Sequence, residues 1–380
     1  MKESAEGYAG FGDPVINEEH EQVVFGRDPK SGLRAMVAIH STALGPSLGG
    51  CRMRPYADEQ AMVADALLLS KAMSYKNALA GLDHGGGKAV IWGDPVTDKS
   101  RELFRAMGAF IATLGGRYIT AGDVGTTVAD LDVIHETNPW TTGRSPDKGG
   151  SGDTGILTAY GMQQAMRAVA RHVWGSDSLE GKVVGISGAG KVGRRLAVHL
   201  VKEEGAQVVI TDPSAAAIQS VVDEVPVEVV MSTDELIRRP LDIYSPNALG
   251  HALTMEVAQA LECTVVCGAA NNQLAEPAVA QVLADRGILY APDYLVNCGG
   301  VVQAAEELWP AVGPAEPSRL AGGFDMERAR ARVAKVYDTT LRVLARADAE
   351  GILPEAAAAR EAEDRMAAGG GAFGRFDVGR

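Results

Sequence analysis

Two lysines twelve residues apart bracket the stretch Lys76-Asn-Ala-Leu-Ala-Gly-Leu-Asp-His-Gly-Gly-Gly-Lys88. Three consecutive glycines do not build a core. They let backbone approach something closely or adopt positive φ. A lysine there is a mobile cation, or a base where loss of water disfavours the ammonium. Asp123 ends a second run, Tyr118-Ile-Thr-Ala-Gly-Asp. A carboxylate at the carboxyl edge of a strand stands where ligands collect in α/β sheets. The ordinary alternative is a solvated lysine on a surface turn. Cations near a helix end also suit the helix dipole, so Lys71 and Lys76 have a purely structural reading.

The elements around these residues are legible in turn. Glu21–Arg27 and Leu33–His40 alternate apolar and polar residues around Asp28-Pro-Lys-Ser-Gly, which predicts a hairpin. Gly45-Pro-Ser-Leu-Gly-Gly-Cys has too many glycines for a strand interior and is expected to be a loop. Asp58 can cap a helix running to about Leu79, with Ala61, Leu68 and Ala72 on its apolar side. Ala89-Val-Ile-Trp is expected as a short buried strand after the glycine loop. Arg101–Leu114 has helical periodicity, and Asp130 opens a further helix. Trp140–Asp153 is a Gly/Ser/Pro linker and marks a domain boundary, followed by a long helix over Thr154–Trp174.

Lys182-Val-Val-Gly-Ile-Ser then runs into Gly188-Ala-Gly190-Lys191-Val192-Gly193, with a helix from Arg194. The next strand, Gln207-Val-Val-Ile-Thr, ends in Asp212, 24 residues after the first glycine. Strand, glycine turn, helix and acidic residue together form the dinucleotide fingerprint in its confirming context. The glycines permit a tight turn and close approach to a pyrophosphate at the helix N-terminus. Asp212 suits the adenosine ribose, and with no arginine in the following Pro213-Ser214 it favours NAD over NADP. Leu241–Pro246, Thr264–Gly268 and Gly287–Pro292 are further apolar strands separated by helical runs, which argues a parallel, doubly wound sheet. Asn271, Asn272 and Asn297 follow two of these strand ends. Amides suit a carboxamide or a carboxylate, and asparagines also favour turns. Trp309–Gly323 reads as a surface insertion, Asp325–Ala349 as one long amphipathic helix with Lys335 and Arg342 on its solvated face, and residues 367–380 as a flexible tail.

The 380 residues favour two domains. A net charge of −13 disfavours nucleic acid and anionic membrane as partners. No signal pattern or membrane-length apolar run stands out. The four cysteines form no Cys-x-x-Cys pair and have no histidines at zinc spacing, so no metal site is expected, and buried thiols in a reduced cytoplasmic setting fit best.

At these residues the chain resembles the leucine/phenylalanine/valine branch of the Glu/Leu/Phe/Val amino-acid dehydrogenases, and actinobacterial valine dehydrogenases in particular. The segments that carry the resemblance are Leu44-Gly-Pro-Ser-Leu-Gly-Gly, Leu79-Ala-Gly-Leu-Asp-His-Gly-Gly-Gly-Lys-Ala-Val-Ile, Gly116-Arg-Tyr-Ile-Thr-Ala-Gly-Asp-Val-Gly-Thr, Trp140-Thr-Thr-Gly-Arg-Ser-Pro, Gly268-Ala-Ala-Asn-Asn-Gln-Leu, and Gly287-Ile-Leu-Tyr-Ala-Pro-Asp-Tyr with Asn297-Cys-Gly-Gly. The resemblance implies an α/β fold of two domains: a substrate and oligomerisation domain over 1–148, and a Rossmann-type NAD-binding domain over 149–323. C-terminal helices over 324–366 return to the first domain. It implies reversible, NAD-dependent oxidative deamination of an L-amino acid to a 2-oxo acid and ammonia, by a homo-oligomer. Lys76 would hold the substrate carboxylate, Lys88 would activate water as general base, and Asp123 would handle the amine proton. Gly49 and Gly50 would bring backbone to the substrate, while Thr158, Asn272 and Asn297 would serve the nicotinamide end. Leu48, Ala121, Val301 and Ala304 would surround the side chain, an apolar set that argues for a valine- or leucine-like substrate and against glutamate.

The chain departs from that pattern at Cys51, Gly122, Gly155 and His251 and in the Trp309–Gly323 insertion. Together with the small Ala304, these departures raise a second reading, the same chemistry on a non-standard amino acid of specialised metabolism. A lyase that uses bound NAD without net NADH release, and a non-catalytic NAD-binding regulator, are the alternatives from other classes.

Overall fold

The computed structural model of the protein describes residues 20–308 and 324–369. The expected hairpin forms: β1 (Gln22–Asp28) pairs antiparallel with β2 (Leu33–Ser41), and Asp28 caps the turn by accepting the N–H groups of Lys30 and Ser31. Then come β3 (Ser47–Arg54), α1 (Glu59–Leu79), β4 (Gly85–Trp92), α2 (Arg101–Ala112), β5 (Tyr118–Gly122) and α3 (Val128–His135). The sheet order is β1-β2-β4-β3-β5, with β3 parallel to both its neighbours.

Two glycine-rich segments expected as loops are strands. Gly49 and Gly50 lie inside β3, and Gly85, Gly86 and Gly87 open β4. The reason is close approach of backbone. A Cβ on Gly49 would fall 1.8 Å from the Gly87 carbonyl oxygen, and one on Gly86 would fall 2.0 Å from the Ser74 nitrogen of α1. The buried face of α1 also differs from expectation: Leu68 is 54% exposed, whereas Ala66, Ser70 and Ser74 are fully buried. Recurring every four residues, these small side chains let α1 lie against β4. Asp130 stands inside the first turn of α3 rather than opening it, sharing a reciprocal cap with Thr127.

Helix α4 (Gly155–Trp174) leads into the second sheet. Its elements are β6 (Val183–Ser187), α5 (Lys191–Lys202), β7 (Gln207–Thr211), α6 (Ala215–Val222), β8 (Glu228–Val229), α7 (Thr233–Ile237), β9 (Leu241–Pro246), α8 (Met255–Ala260), β10 (Cys263–Val266), α9 (Ala278–Asp285) and β11 (Leu289–Tyr290). Helix α5 starts at Lys191, one turn ahead of the expected Arg194. All pairings are parallel, in the order β11-β10-β9-β6-β7-β8. This is the doubly wound order of dinucleotide-binding sheets, with its switch point between β6 and β9.

Helices α10 (Asp293–Val296) and α11 (Gly299–Glu306) follow. The expected single C-terminal helix is two, α12 (Met326–Ala334) and α13 (Val336–Glu350). At Lys335 the N–H bonds the Arg332 carbonyl three residues back, and the tightened turn brings Val333 and Val336 together into the core. Helix α14 (Pro354–Ala368) packs on α1, where Arg365 donates to the Ala78 carbonyl at 2.7 Å. The expected insertion and all but the start of the expected tail lie outside the described residues. Cys51, Cys267 and Cys298 are buried among apolar side chains. Among the described residues no helix is long and apolar enough to cross a membrane, and no cluster of His, Cys, Asp and Glu is arranged to hold a metal.

Candidate active site

A cleft of about 490 Å³ opens between the two sheets. Lys88, the fourth residue of β4, is 4% exposed, and its Nζ lies 2.7 Å from Asp123 Oδ2 just beyond β5. Arg52 Nε donates to that same oxygen at 2.9 Å. Arg52 Nη1 reaches both oxygens of Asp65 at 3.1 Å, and Asp65 accepts the Tyr56 hydroxyl at 2.7 Å. Burial pushes the Asp123 carboxyl up, but the charges of Lys88 and Arg52 outweigh it and hold the group well below the usual carboxylate range. Gly50 leaves the room this requires, since a Cβ there would sit 2.7 Å from Asp123 Cβ.

Lys76, in the last turn of α1, reaches across the cleft and donates to Asn271 Oδ1 at 2.8 Å. Asn271 Oδ1 also accepts from Asn297 Nδ2 at 2.9 Å. Burial lowers the Lys76 ammonium below the usual lysine range, and the charge of Asp293 opposes that. Asn272 has a φ of 51°, in the left-handed region. Asn297 is 6% exposed, and its Oδ1 has no hydrogen-bond partner among the described residues.

Of the sequence-predicted residues, Gly49, Gly50, Lys76, Lys88, Ala121, Asp123, Thr158, Lys191, Val192, Asn272, Asn297, Val301 and Ala304 line this one cleft. Leu48 does not. Its fully buried side chain packs with Leu79, Leu82 and Ile119 in the core. Sequence reasoning missed Arg52, Met73, Asp153 and Asp293 on the cleft wall. Reading Ser47–Arg54 as a strand would have put Arg52 on the Gly50 face, and helical spacing puts Met73 one turn before Lys76.

Beyond the cleft mouth, Gly188 has a φ of 109°, and a Cβ on Gly193 would fall 1.9 Å from the Gly188 carbonyl oxygen. Gly190 caps α5 with open space where a Cβ would stand. Asp212 accepts the Ala189 and Ser214 N–H groups, each at 2.8 Å, and so is held at the end of β7 beside the glycine turn. This turn, the first-turn N–H groups that helix α5 leaves without an intrahelical partner, and the acidic residue fit a dinucleotide. Two of the departures have a structural cause. A Cβ on Gly155 would meet Arg195 Nη1 and Asp153 Oδ1 at 3.1 Å, where these two side chains form an ion pair. His251, with a φ of 57°, places its side-chain Nδ1 3.2 Å from the Leu274 carbonyl, a contact that glycine could not make, while its backbone N–H donates to the Asn272 carbonyl.

Comparison with known proteins agrees with this arrangement. The profile for the Glu/Leu/Phe/Val dehydrogenase dimerisation domain matches residues 20–139, and that for glutamate/leucine/phenylalanine/valine dehydrogenase matches residues 214–311. A valine dehydrogenase of Streptomyces albus is 57% identical over 350 residues, covering 92% of each chain. A leucine dehydrogenase of Bacillus cereus is 46% identical over 349 residues, covering 92% of this chain and 91% of its own. The crystal structure of L-tryptophan dehydrogenase from Nostoc punctiforme superposes with a TM-score of 0.77 at 35% identity, over 92% of this chain and 97% of that one. With its paired lysines and aspartate facing a doubly wound sheet, the chain belongs to the Glu/Leu/Phe/Val dehydrogenase family of amino-acid dehydrogenases.

Proposed function

We propose that the protein catalyses the reversible, NAD-dependent oxidative deamination of an apolar, branched L-amino acid of the valine and leucine kind. The observation that carries this is the convergence of Lys88 and Arg52 on one oxygen of Asp123, with Lys76 facing the same cleft. The printed names of the relatives, valine and leucine dehydrogenase, point to the same substrates. Lys76 holds the substrate carboxylate, helped by backbone at Gly49 and Gly50. Asp123, its Oδ2 taken by two cations, meets the amine with Oδ1. Bound NAD supplies the acceptor for the hydride that leaves the α-carbon. Lys88, having first given up its own proton, takes a proton from the water that attacks the substrate iminium and returns it to the nitrogen. As the carbinolamine collapses to the 2-oxo acid, Lys88 takes the hydroxyl proton and ammonia leaves. The wall at Ala121, Val301 and Ala304 carries no cation for a second carboxylate. Asp212 has no arginine beside it, which supports NAD over NADP. The division at 1–148, 149–323 and 324–366 assigns substrate binding, NAD binding and returning helices to successive parts of the chain. The dimerisation-domain match supports a homo-oligomer.

The test is to mix the purified protein with NAD and a panel of L-amino acids, following NADH absorbance beside Lys88→Ala. Turnover of valine or leucine that falls at least about 100-fold in the variant supports the reading, because a positioned general base contributes on the order of 10²–10⁴ in rate. NAD binding without NADH formation from any of them overturns it. One observation favours a second reading: Gly122 leaves no side chain beside Asp123, and a Cβ there would stand 3.3 Å from Leu131. With Ala304, this gives room for a larger, non-standard amino acid. Faster turnover of such a substrate than of valine would select it.

A further inference from the structure

Asn271 Oδ1 is a shared acceptor on the cleft wall. Lys76 Nζ, from α1, donates to it at 2.8 Å, and Asn297 Nδ2, just past α10, donates to it at 2.9 Å. The chemistry of the partners fixes which way each amide faces. Lysine can only donate, so Asn271 must turn its oxygen to Nζ. The backbone carbonyl of Ala269 can only accept, and Asn297 Nδ2 lies 3.0 Å from it, so Asn297 must turn its NH2 that way. Asn297 Oδ1 is thereby left over. It belongs to a side chain 6% exposed and has no hydrogen-bond partner among the described residues. A buried acceptor without a donor is costly unless a ligand supplies one. The loop that presents Asn271 is braced from within. Gln273, fully buried, donates to the Gly268 and Ala270 carbonyls at 2.6 and 2.9 Å, and Ala269 donates its N–H to Asn247 Oδ1 at 3.0 Å.

We propose that Asn271 is a positioning residue that couples the two ligands of the reaction: its oxygen sets Lys76 for the substrate carboxylate and sets the Asn297 carbonyl oxygen for the carboxamide N–H of a nicotinamide. The inference rests on the readings of Lys76 and of NAD given above. Lysine carries three N–H donors, so Nζ can keep Asn271 and still meet a carboxylate. A carboxylate that fixes Lys76 therefore orders Asn271 and, through it, the Asn297 amide. The nicotinamide then meets an acceptor already in place and loses less entropy on binding. The converse follows by linkage: a nicotinamide on Asn297 makes the carboxylate site tighter by the same factor. Asn271 acts throughout by way of its two partners.

The experiment is calorimetric binding of 3-methylbutanoate, a carboxylate with no amine, at neutral pH. The protein is saturated either with NADH or with ADP-ribose, which fills a dinucleotide site but carries no nicotinamide. In wild type the carboxylate is expected to bind about tenfold more tightly beside NADH than beside ADP-ribose, the worth of one hydrogen bond. In Asn271→Ala that advantage shrinks to about twofold or less. A wild-type protein without the advantage overturns the proposal. So does an alanine variant that binds more weakly beside both partners alike and keeps the advantage, since that is what loss of a merely structural contact would do. Asn271 is exposed, so the alanine variant is expected to fold. Asn271→Asp keeps an acceptor oxygen in the same place and is expected to keep the advantage; its loss there overturns the proposal equally. Failure of the deamination reading appears separately, as wild-type protein that shows the advantage but forms no NADH from any L-amino acid of the panel.

Discussion

Asp123 is a buried carboxylate whose charge is maintained by neighbours rather than by water. Two cations on one oxygen hold it ionised; Lys88 is buried and Arg52 half-buried, so removing either leaves an uncompensated charge. Arg52 is anchored from behind by Asp65 and Tyr56, which makes it a fixed cation beside Lys88, whose ammonium the reaction must deprotonate. Arg52→Gln is expected to destabilise the fold by about 3 kcal/mol at neutral pH. The sign with pH follows from the depressed carboxyl: its pairing stabilises the fold above the unfolded value of about 3.9 and that contribution is lost as pH falls through the folded value. Urea unfolding of wild type and variant should therefore show a gap that is full at neutral pH and narrows in acid. The acid limb of kcat/KM should move to higher pH in the variant, because Asp123 has lost one of the charges that lowered it. A gap of constant size across the range would mean that Arg52 acts by packing alone.

At the scale of the element, the distance between the two lysines is set by glycine. Gly86 lies against Ser74 of α1; Lys88 follows the one by two residues and Lys76 follows the other by two. The backbone contact thus brings both amines to one cleft. Gly86→Ala places a methyl group where the helix backbone stands, so α1 must lift from β4. The expected cost is about 1–3 kcal/mol, with KM for the amino acid raised more than KM for NAD. Denaturant unfolding and steady-state kinetics check both, and equal rises in the two KM values would count against a local displacement of Lys76. This contact also explains what the sequence hid. The glycine turn before α5 was legible because its reason is local: a strand, a tight turn and a helix within a dozen residues. The glycines of β3 have their reason in Gly87 and Asp123, and those of β4 in Ser41 and in Ser74 of α1, all on other elements, so they read as loops. Leu68 misled for the same cause. The side that packs on β4 is chosen by small residues, not by the largest apolar one. Lys76, Lys88 and Asp123 were legible as types, but Arg52, Asp293 and the exclusion of Leu48 depended on which way each strand and loop faced.

For the molecule as a whole, hydride transfer in a dry cleft needs its two walls to approach one another, and the segment between the sheets must allow that without coming loose. Its first half is stitched to β5: the Thr120 N–H bonds the Trp140 carbonyl, and the Thr142 N–H bonds the Thr120 carbonyl. Its second half is held from α11. Gln303 donates to the Ser151 carbonyl at 2.9 Å, and Glu307 accepts the Ser151 N–H at 2.8 Å. Between the halves stands Gly143, with a φ of 74°, whose N–H also ends on Glu307 at 2.7 Å. One 4% exposed carboxylate thus closes the loop around its pivot. Burial raises the Glu307 carboxyl above the usual range, so the charged form costs stability as pH rises, and Arg144 at 3.9 Å offsets this only in part. Glu307→Gln retains an acceptor for these N–H groups without the buried charge, and is expected to match or exceed wild-type stability at alkaline pH, with unchanged turnover. Glu307→Ala leaves two buried N–H groups unpaired, at about 1–3 kcal/mol each. It should accelerate amide hydrogen exchange at Gly143 and Ser151 and change kcat and KM together, as expected when closure rather than chemistry is impaired. If the alanine variant exchanged those amides no faster than wild type, the pivot would have to lie elsewhere in the connecting segment. If it exchanged faster but turned over normally, closure would not depend on the clasp.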